Sequence, residues 1–94
     1  MKISDLRPGM RNINIEGRVV EISEQKEVVT RFGLKRIANA TLEDETGSVT
    51  LALWEEQIDT VSEGDTIQII DGFTRIFRGK LQLSVPKRGR IIVK

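Results

Sequence analysis

Aliphatic side chains in this 94-residue chain recur in short alternating runs, and that pattern confines the chain to β structure. Ile13 and Ile15 form one run, Ala38, Ala40 and Leu42 a second, and Val49, Leu51 and Leu53 a third. Ile67 with Ile69, and Leu81 with Leu83, continue the pattern. Successive side chains of a strand point to opposite faces, so each run predicts a strand with one face buried. Turn-forming stretches separate the runs: Asp44-Glu45-Thr46-Gly47, Glu63-Gly64-Asp65 and Arg78-Gly79. Short strands at such spacing predict an all-β barrel or sandwich.

Gly17 interrupts the first run, and Val20 and Ile22 resume it with shifted parity, which predicts a bulge or bend at the glycine. Gly72 marks a second break in parity. A polar loop is expected from about Glu24 to Lys35, around Phe32-Gly33. The stretch Trp54 to Val61 lacks alternation, and a short helix there would place Ile58 and Val61 on one side. An irregular lead-in, Ser4 to Met10, turns at Pro8-Gly9, while Pro86 ends the fifth strand before the apolar run Ile91-Ile92-Val93. Three strands, a short helix and two more strands describe the five-stranded Greek-key barrel of the OB-fold, as one domain over residues 1–94. An SH3-like small barrel accommodates the helical insert less well.

The residue inventory removes whole classes of chemistry. There is no cysteine and no histidine, so disulfides, thiolate metal sites and histidine-based acid–base catalysis are excluded, and neither metal nor cofactor is expected. No phosphate loop or nucleophile elbow is present, and adjacent acids such as Glu55-Glu56 point apart on a strand. A non-enzymatic role is therefore expected. No apolar run approaches the ~20 residues that span a bilayer, and no signal-peptide pattern opens the chain, so an intracellular protein without membrane contact is expected.

Net charge is only +1, but the charges are segregated. Between Ile37 and Asp71 lie Glu43, Asp44, Glu45, Glu55, Glu56, Asp59, Glu63, Asp65 and Asp71, without a lysine or arginine. From Gly72 onward lie Arg75, Arg78, Lys80, Lys87, Arg88, Arg90 and Lys94, without an acid. Such asymmetry points to a polyanionic partner at the basic end. The acidic 43–71 segment is a candidate docking surface for proteins.

The segment Phe73 to Ser84 reads as a hairpin turning at Arg78-Gly79. Alternation assigns Ile76, Leu81 and Leu83 to the core face. Phe73, Arg75 and Phe77 then share the outer face with Lys80, Gln82 and Ser84. Aromatic, basic, aromatic is an unfavourable sequence for a merely solvated face, whereas it suits a surface that stacks bases and neutralises phosphates. Trp54 lies on the parity opposite Leu51 and Leu53, so it is also expected outside, although the end of a strand suits a packing tryptophan too. Arg31, Lys35 and Arg36, with Lys26, flank the first long loop, whose Phe32 either closes over a base or folds back onto the barrel. Lys87, Arg88 and Arg90 extend a basic track or form a solvated tail.

Taken together, Asp5-Leu6-Arg7-Pro8-Gly9-Met10, Asp44-Glu45-Thr46-Gly47-Ser48, Leu53-Trp54 and the Gly72 to Ser84 hairpin resemble a known family. It is that of the archaeal single-OB-fold single-stranded DNA-binding proteins and their eukaryotic relatives, distant kin of replication protein A. The resemblance covers nearly the whole chain. It implies sequence-tolerant binding of single-stranded DNA in replication, recombination or repair, with stacking aromatics at Trp54, Phe73 and Phe77. Where the family commonly carries another fifth-strand aromatic, this sequence has Ser84, which implies fewer aromatic contacts. An RNA-binding OB domain would use the same face, and a protein-interaction OB module would use the aromatics as a hot spot.

Overall fold

The computed structural model describes Met1–Lys94 throughout. A 3-10 turn, Ile3–Asp5, precedes β1 (Ile13–Ile22), β2 (Lys26–Thr30), β3 (Gly33–Asp44) and β4 (Gly47–Trp54). One short helix, α1 (Glu56–Thr60), leads to β5 (Thr66–Phe77), β6 (Lys80–Ser84) and β7 (Arg90–Val93). The strands run in the order β1-β3-β4-β6-β5-β7, and β1 also pairs with β5, so the sheet closes on itself in a ring. All neighbours are antiparallel except β4 and β6. No helix is long and apolar enough to cross a membrane.

The five expected strands are β1, β3, β4, β5 and β6, and their alternating aliphatics fill the ring. Ile13, Val19, Leu42, Leu51, Leu53, Ile67, Ile69 and Leu83 are all fully buried, and no aromatic joins them. The expected helix is there, with Ile58 packed against the core and Val61 buried just beyond its end. Two strands were not foreseen. The expected polar loop at 24–35 is a hairpin of β2 and the start of β3, turning at Arg31-Phe32. The apolar tail forms β7 against the first half of β5.

The bend in β1 is also displaced from its expected position. Ile13, Ile15, Gly17 and Val19 keep one parity and all face inward. The irregularity lies at Val20: Val19 pairs with Leu42, and Glu21, not Val20, pairs with Thr41. Gly17 has a different task. A Cβ there would sit 2.8 Å from Leu42 Cγ and 3.0 Å from the Glu43 carbonyl oxygen, so the absent side chain lets β3 pack close. The second break occurs where expected: Asp71 adopts φ 63°, and the buried parity passes from Ile67 and Ile69 to Gly72 and Thr74.

The lead-in seals one end of the ring through Ile3 and Leu6, both buried. Asp44 at the β3–β4 turn holds it in place, accepting from the Ile3 N–H at 2.8 Å and the Thr46 N–H at 2.7 Å. Partial burial alone would raise the Asp44 pKa, but hydrogen bonds from the Thr46 hydroxyl and the Ile3, Thr46 and Gly47 N–H groups outweigh it and hold it at about 2. A carboxyl lowered in the folded state stabilises the protein above its unfolded pKa of about 3.9, and that contribution is lost as pH falls toward 2. The urea midpoint of the native protein should therefore exceed that of Asp44→Asn at pH 6, and the gap should shrink between pH 4 and pH 2. A gap independent of pH would refute this role.

Candidate nucleic-acid interface

The register of the ring aligns the outward residues of four strands in rows. Asn39 of β3 pairs with Ala52 of β4, Ala52 with Ser84 of β6, and Ser84 with Phe73 of β5. The adjacent row is Thr41, Thr50, Gln82 and Arg75. Ile37 pairs with Trp54 at one end of this face, and Phe77 pairs with Lys80 at the other. Ala52, Gln82 and Ser84 face outward yet are no more than 5% exposed, because taller neighbours rise on either side. The result is a recessed floor of small and polar side chains bordered by aromatic and basic ones.

The outer-face assignment of Phe73, Arg75, Phe77, Lys80, Gln82 and Ser84 agrees with this pairing. Two details differ. Ile76, expected in the core, is 52% exposed, because the hairpin tip projects past the ring: β6 meets β4 only from Gln82 onward. Gln82 and Ser84 are floor, not exposed contacts, and Ser84 is a low point between Ala52 and Phe73. The hairpin turns at Arg78-Gly79 as expected, with both residues at positive φ. Phe77 is 44% exposed, and the guanidinium carbons of Arg75 and Arg78 lie 5.4 and 5.3 Å from its ring centroid. Cation–π attraction at such distances holds the two charges beside the ring.

Trp54 is half-buried at the end of β4. Its backbone N–H donates to Gln57 Oε1 at 3.0 Å, and Gln57 Nε2 donates to the Val85 carbonyl at 3.0 Å. The first turn of α1 thus fixes the strand end that carries the ring. Arg31, Phe32, Lys35 and Lys87 line one cleft with Trp54. Phe32 does not fold back: it is 80% exposed at the hairpin tip. Arg36 is not part of this group. It lies on the opposite parity of β3, bonded to Gln25 Oε1 at 3.2 Å and Asp59 Oδ2 at 3.3 Å, with Glu55 Oε2 at 3.8 Å.

Phe73 shares its surroundings with Met10, Arg11 and Arg88, which the sequence reading did not place there. The link is non-local: buried Thr74 accepts from the Met10 N–H at 3.0 Å, and its own N–H donates to the Met10 carbonyl, drawing the lead-in beside β5. Arg88 pairs with Asp71 at 3.0 Å. The acidic 43–71 stretch is largely engaged within the fold. Asp44 and Glu45 hold the lead-in, Glu45 through Lys2, while Glu55 and Asp59 face Arg36.

A small sheet closed in a ring, with a short helix between β4 and β5 and one open face of outward aromatics and cations, defines an OB-fold. Residues 6–93 match the family described as single-stranded DNA-binding protein Ssb-like, OB fold, and the chain belongs to that family. It is 34% identical over 90 residues to the single-stranded DNA binding protein Ssb of Saccharolobus solfataricus, covering 96% of this chain and 61% of that protein. It is also 34% identical over 97 residues to a replication factor A of Methanothermobacter thermautotrophicus, covering 96% of this chain and 12% of that protein. The chain thus spans only part of the length of either relative. A solved replication factor A related protein from Methanobacterium thermoautotrophicum superposes with a TM-score of 0.83 at 30% identity, covering all of this chain and 89% of that one.

Proposed function

We propose that this chain is a non-catalytic module that binds single-stranded DNA with little sequence demand, serving replication, recombination or repair. Trp54, Phe73 and Phe77 stack bases, Arg31, Lys35, Arg75, Arg78 and Lys80 meet the phosphates, and Phe32 closes from the hairpin tip. One observation carries the reading: every buried core side chain is aliphatic, while all four aromatics stand outside it beside cations. Every base has a π-face, so such rings bind without reading sequence. Membership of a single-stranded DNA-binding family supports the same reading.

Titration of an oligonucleotide into the protein should quench Trp54 fluorescence. Engaging roughly three to five phosphates gives a slope of log affinity against log salt of about −2 to −3.5. Affinity should then fall roughly 15- to 130-fold between 50 and 200 mM salt. Absence of quenching and of any binding at low salt would overturn the reading. Competition with a matched RNA of equal length separates the two substrates, and tighter RNA binding would move the function to RNA.

A further inference from the structure

Beyond Ser84, the last residue of β6, the chain makes a tight turn from Pro86 to Gly89 before β7 begins. The Gly89 N–H donates to the Pro86 carbonyl at 2.9 Å, which puts Lys87 and Arg88 at the two central positions of the turn. The turn is pinned against β5. A Cβ at Gly89 would sit 2.7 Å from the Ile70 carbonyl oxygen and 2.8 Å from Val85 Cγ1, so the glycine alone permits this approach. Lys87 lines the cleft of Trp54, Arg31 and Lys35, whereas Arg88 lines the cleft of Phe73, Met10 and Arg11. One fixed turn thus sends a cation to each of two candidate stacking rings, and both side chains are exposed.

The two cations differ in their partners. Lys87 pairs with no carboxylate. Glu55 lines the same cleft, but its Oε1 accepts from the Arg36 N–H at 2.8 Å and its Oε2 lies 3.8 Å from Arg36 Nε. Arg88 pairs with Asp71 at 3.0 Å, and Asp71 is the acid beside Phe73. We propose that the Pro86–Gly89 turn grips the DNA backbone where a strand passes between Phe73 and Trp54. Lys87 contacts one phosphate, and Arg88 cancels the charge with which Asp71 would repel it. A solvated tail would require neither the hydrogen-bonded turn nor a glycine wedged against β5. This inference deepens the proposed DNA-binding reading and rests on it.

The test measures oligo(dT) affinity from 50 to 200 mM salt in the native protein, in Lys87→Gln and in Lys94→Gln. Each variant loses one positive charge, and Lys94 stands at the far end of β7, paired with Glu16 at 2.8 Å. Losing one phosphate contact on a single strand flattens the slope of log affinity against log salt by about 0.7. Lys87→Gln should therefore bind about three- to tenfold more weakly at 50 mM salt, with the deficit shrinking about two- to threefold by 200 mM. Lys94→Gln should match the native protein. Arg88→Gln, which uncovers Asp71, should also weaken binding, and adding Asp71→Asn should restore most of the loss. An unchanged slope in Lys87→Gln, or an equal change in Lys94→Gln, overturns the grip while leaving DNA binding intact. No recovery on adding Asp71→Asn overturns the part given to Arg88. Failure of the native protein to bind any strand overturns the DNA-binding reading as well.

Discussion

Alanine at Trp54, Phe73 and Phe77 together should raise the dissociation constant for single-stranded DNA by at least about 100-fold. Each base–ring stack contributes about 1–3 kcal/mol, so three losses remove about 3 kcal/mol even at the lower limit, and each 1.4 kcal/mol is tenfold. The variant should still fold, because none of the three rings belongs to the aliphatic core. Trp54 should be the most costly single replacement: it offers the largest ring, and Gln57 fixes the strand end that carries it. Thermal unfolding of the triple variant provides the control. A folded triple variant whose affinity changes less than fivefold would refute the stacking face.

Alanine at Gly17 should destabilise the fold by about 1–3 kcal/mol, the usual cost of forcing atoms into a packed interior. Its Cβ would press on Leu42 Cγ at 2.8 Å and Cδ1 at 3.0 Å. Leu42→Ala alone should cost about 2–5 kcal/mol, since Leu42 is fully buried. The double variant should cost less than the two singles added, because removing the leucine side chain removes the atoms that the new methyl would strike. Relief stays partial, as the Glu43 carbonyl remains 3.0 Å away. Urea unfolding of all four proteins measures the coupling, and additivity within about 0.5 kcal/mol would refute direct contact as the cause.

What the sequence made legible was whatever one buried face imposes. Leu51 and Leu53, or Ile67 and Ile69, alternate because water is on one side of them and the core on the other. The β2–β3 hairpin lies beyond the ring and fully buries neither face: Val29 and Leu34, paired on one face, are 86% and 60% exposed, and Val28 on the other is only half-buried, so its alternation carries little hydrophobic signal. Gly17 was ambiguous for another reason. A strand glycine signals either a bend or a close approach, and only the partner residue Leu42, twenty-five positions away, decides between them.

The site divides along the same line. Parity alone turned Trp54, Phe73 and Phe77 outward. The recess at Ala52, Gln82 and Ser84 depends on the parallel pairing of β4 with β6, a contact between distant segments that no local pattern encodes. Arg36 was grouped with Lys35 by sequence adjacency, whereas strand alternation sends the two to opposite faces.

Strand β5 performs two tasks, one on each side of its bend at Asp71. Its first half, Thr66 to Gly72, is the seam where the ring shuts against β1, with β7 on its other edge from Ile67 to Ile70, and its second half carries Phe73, Arg75 and Phe77. Ile13 cannot meet Gly72 until most of the chain has left the ribosome, so closure is a late, non-local event and sets a slow pace for folding. The proposed stacking surface is completed in that same step. On that proposal, a strand of DNA held on the far half of β5 would also clamp the seam, and the occupied protein should reopen more rarely than the empty one.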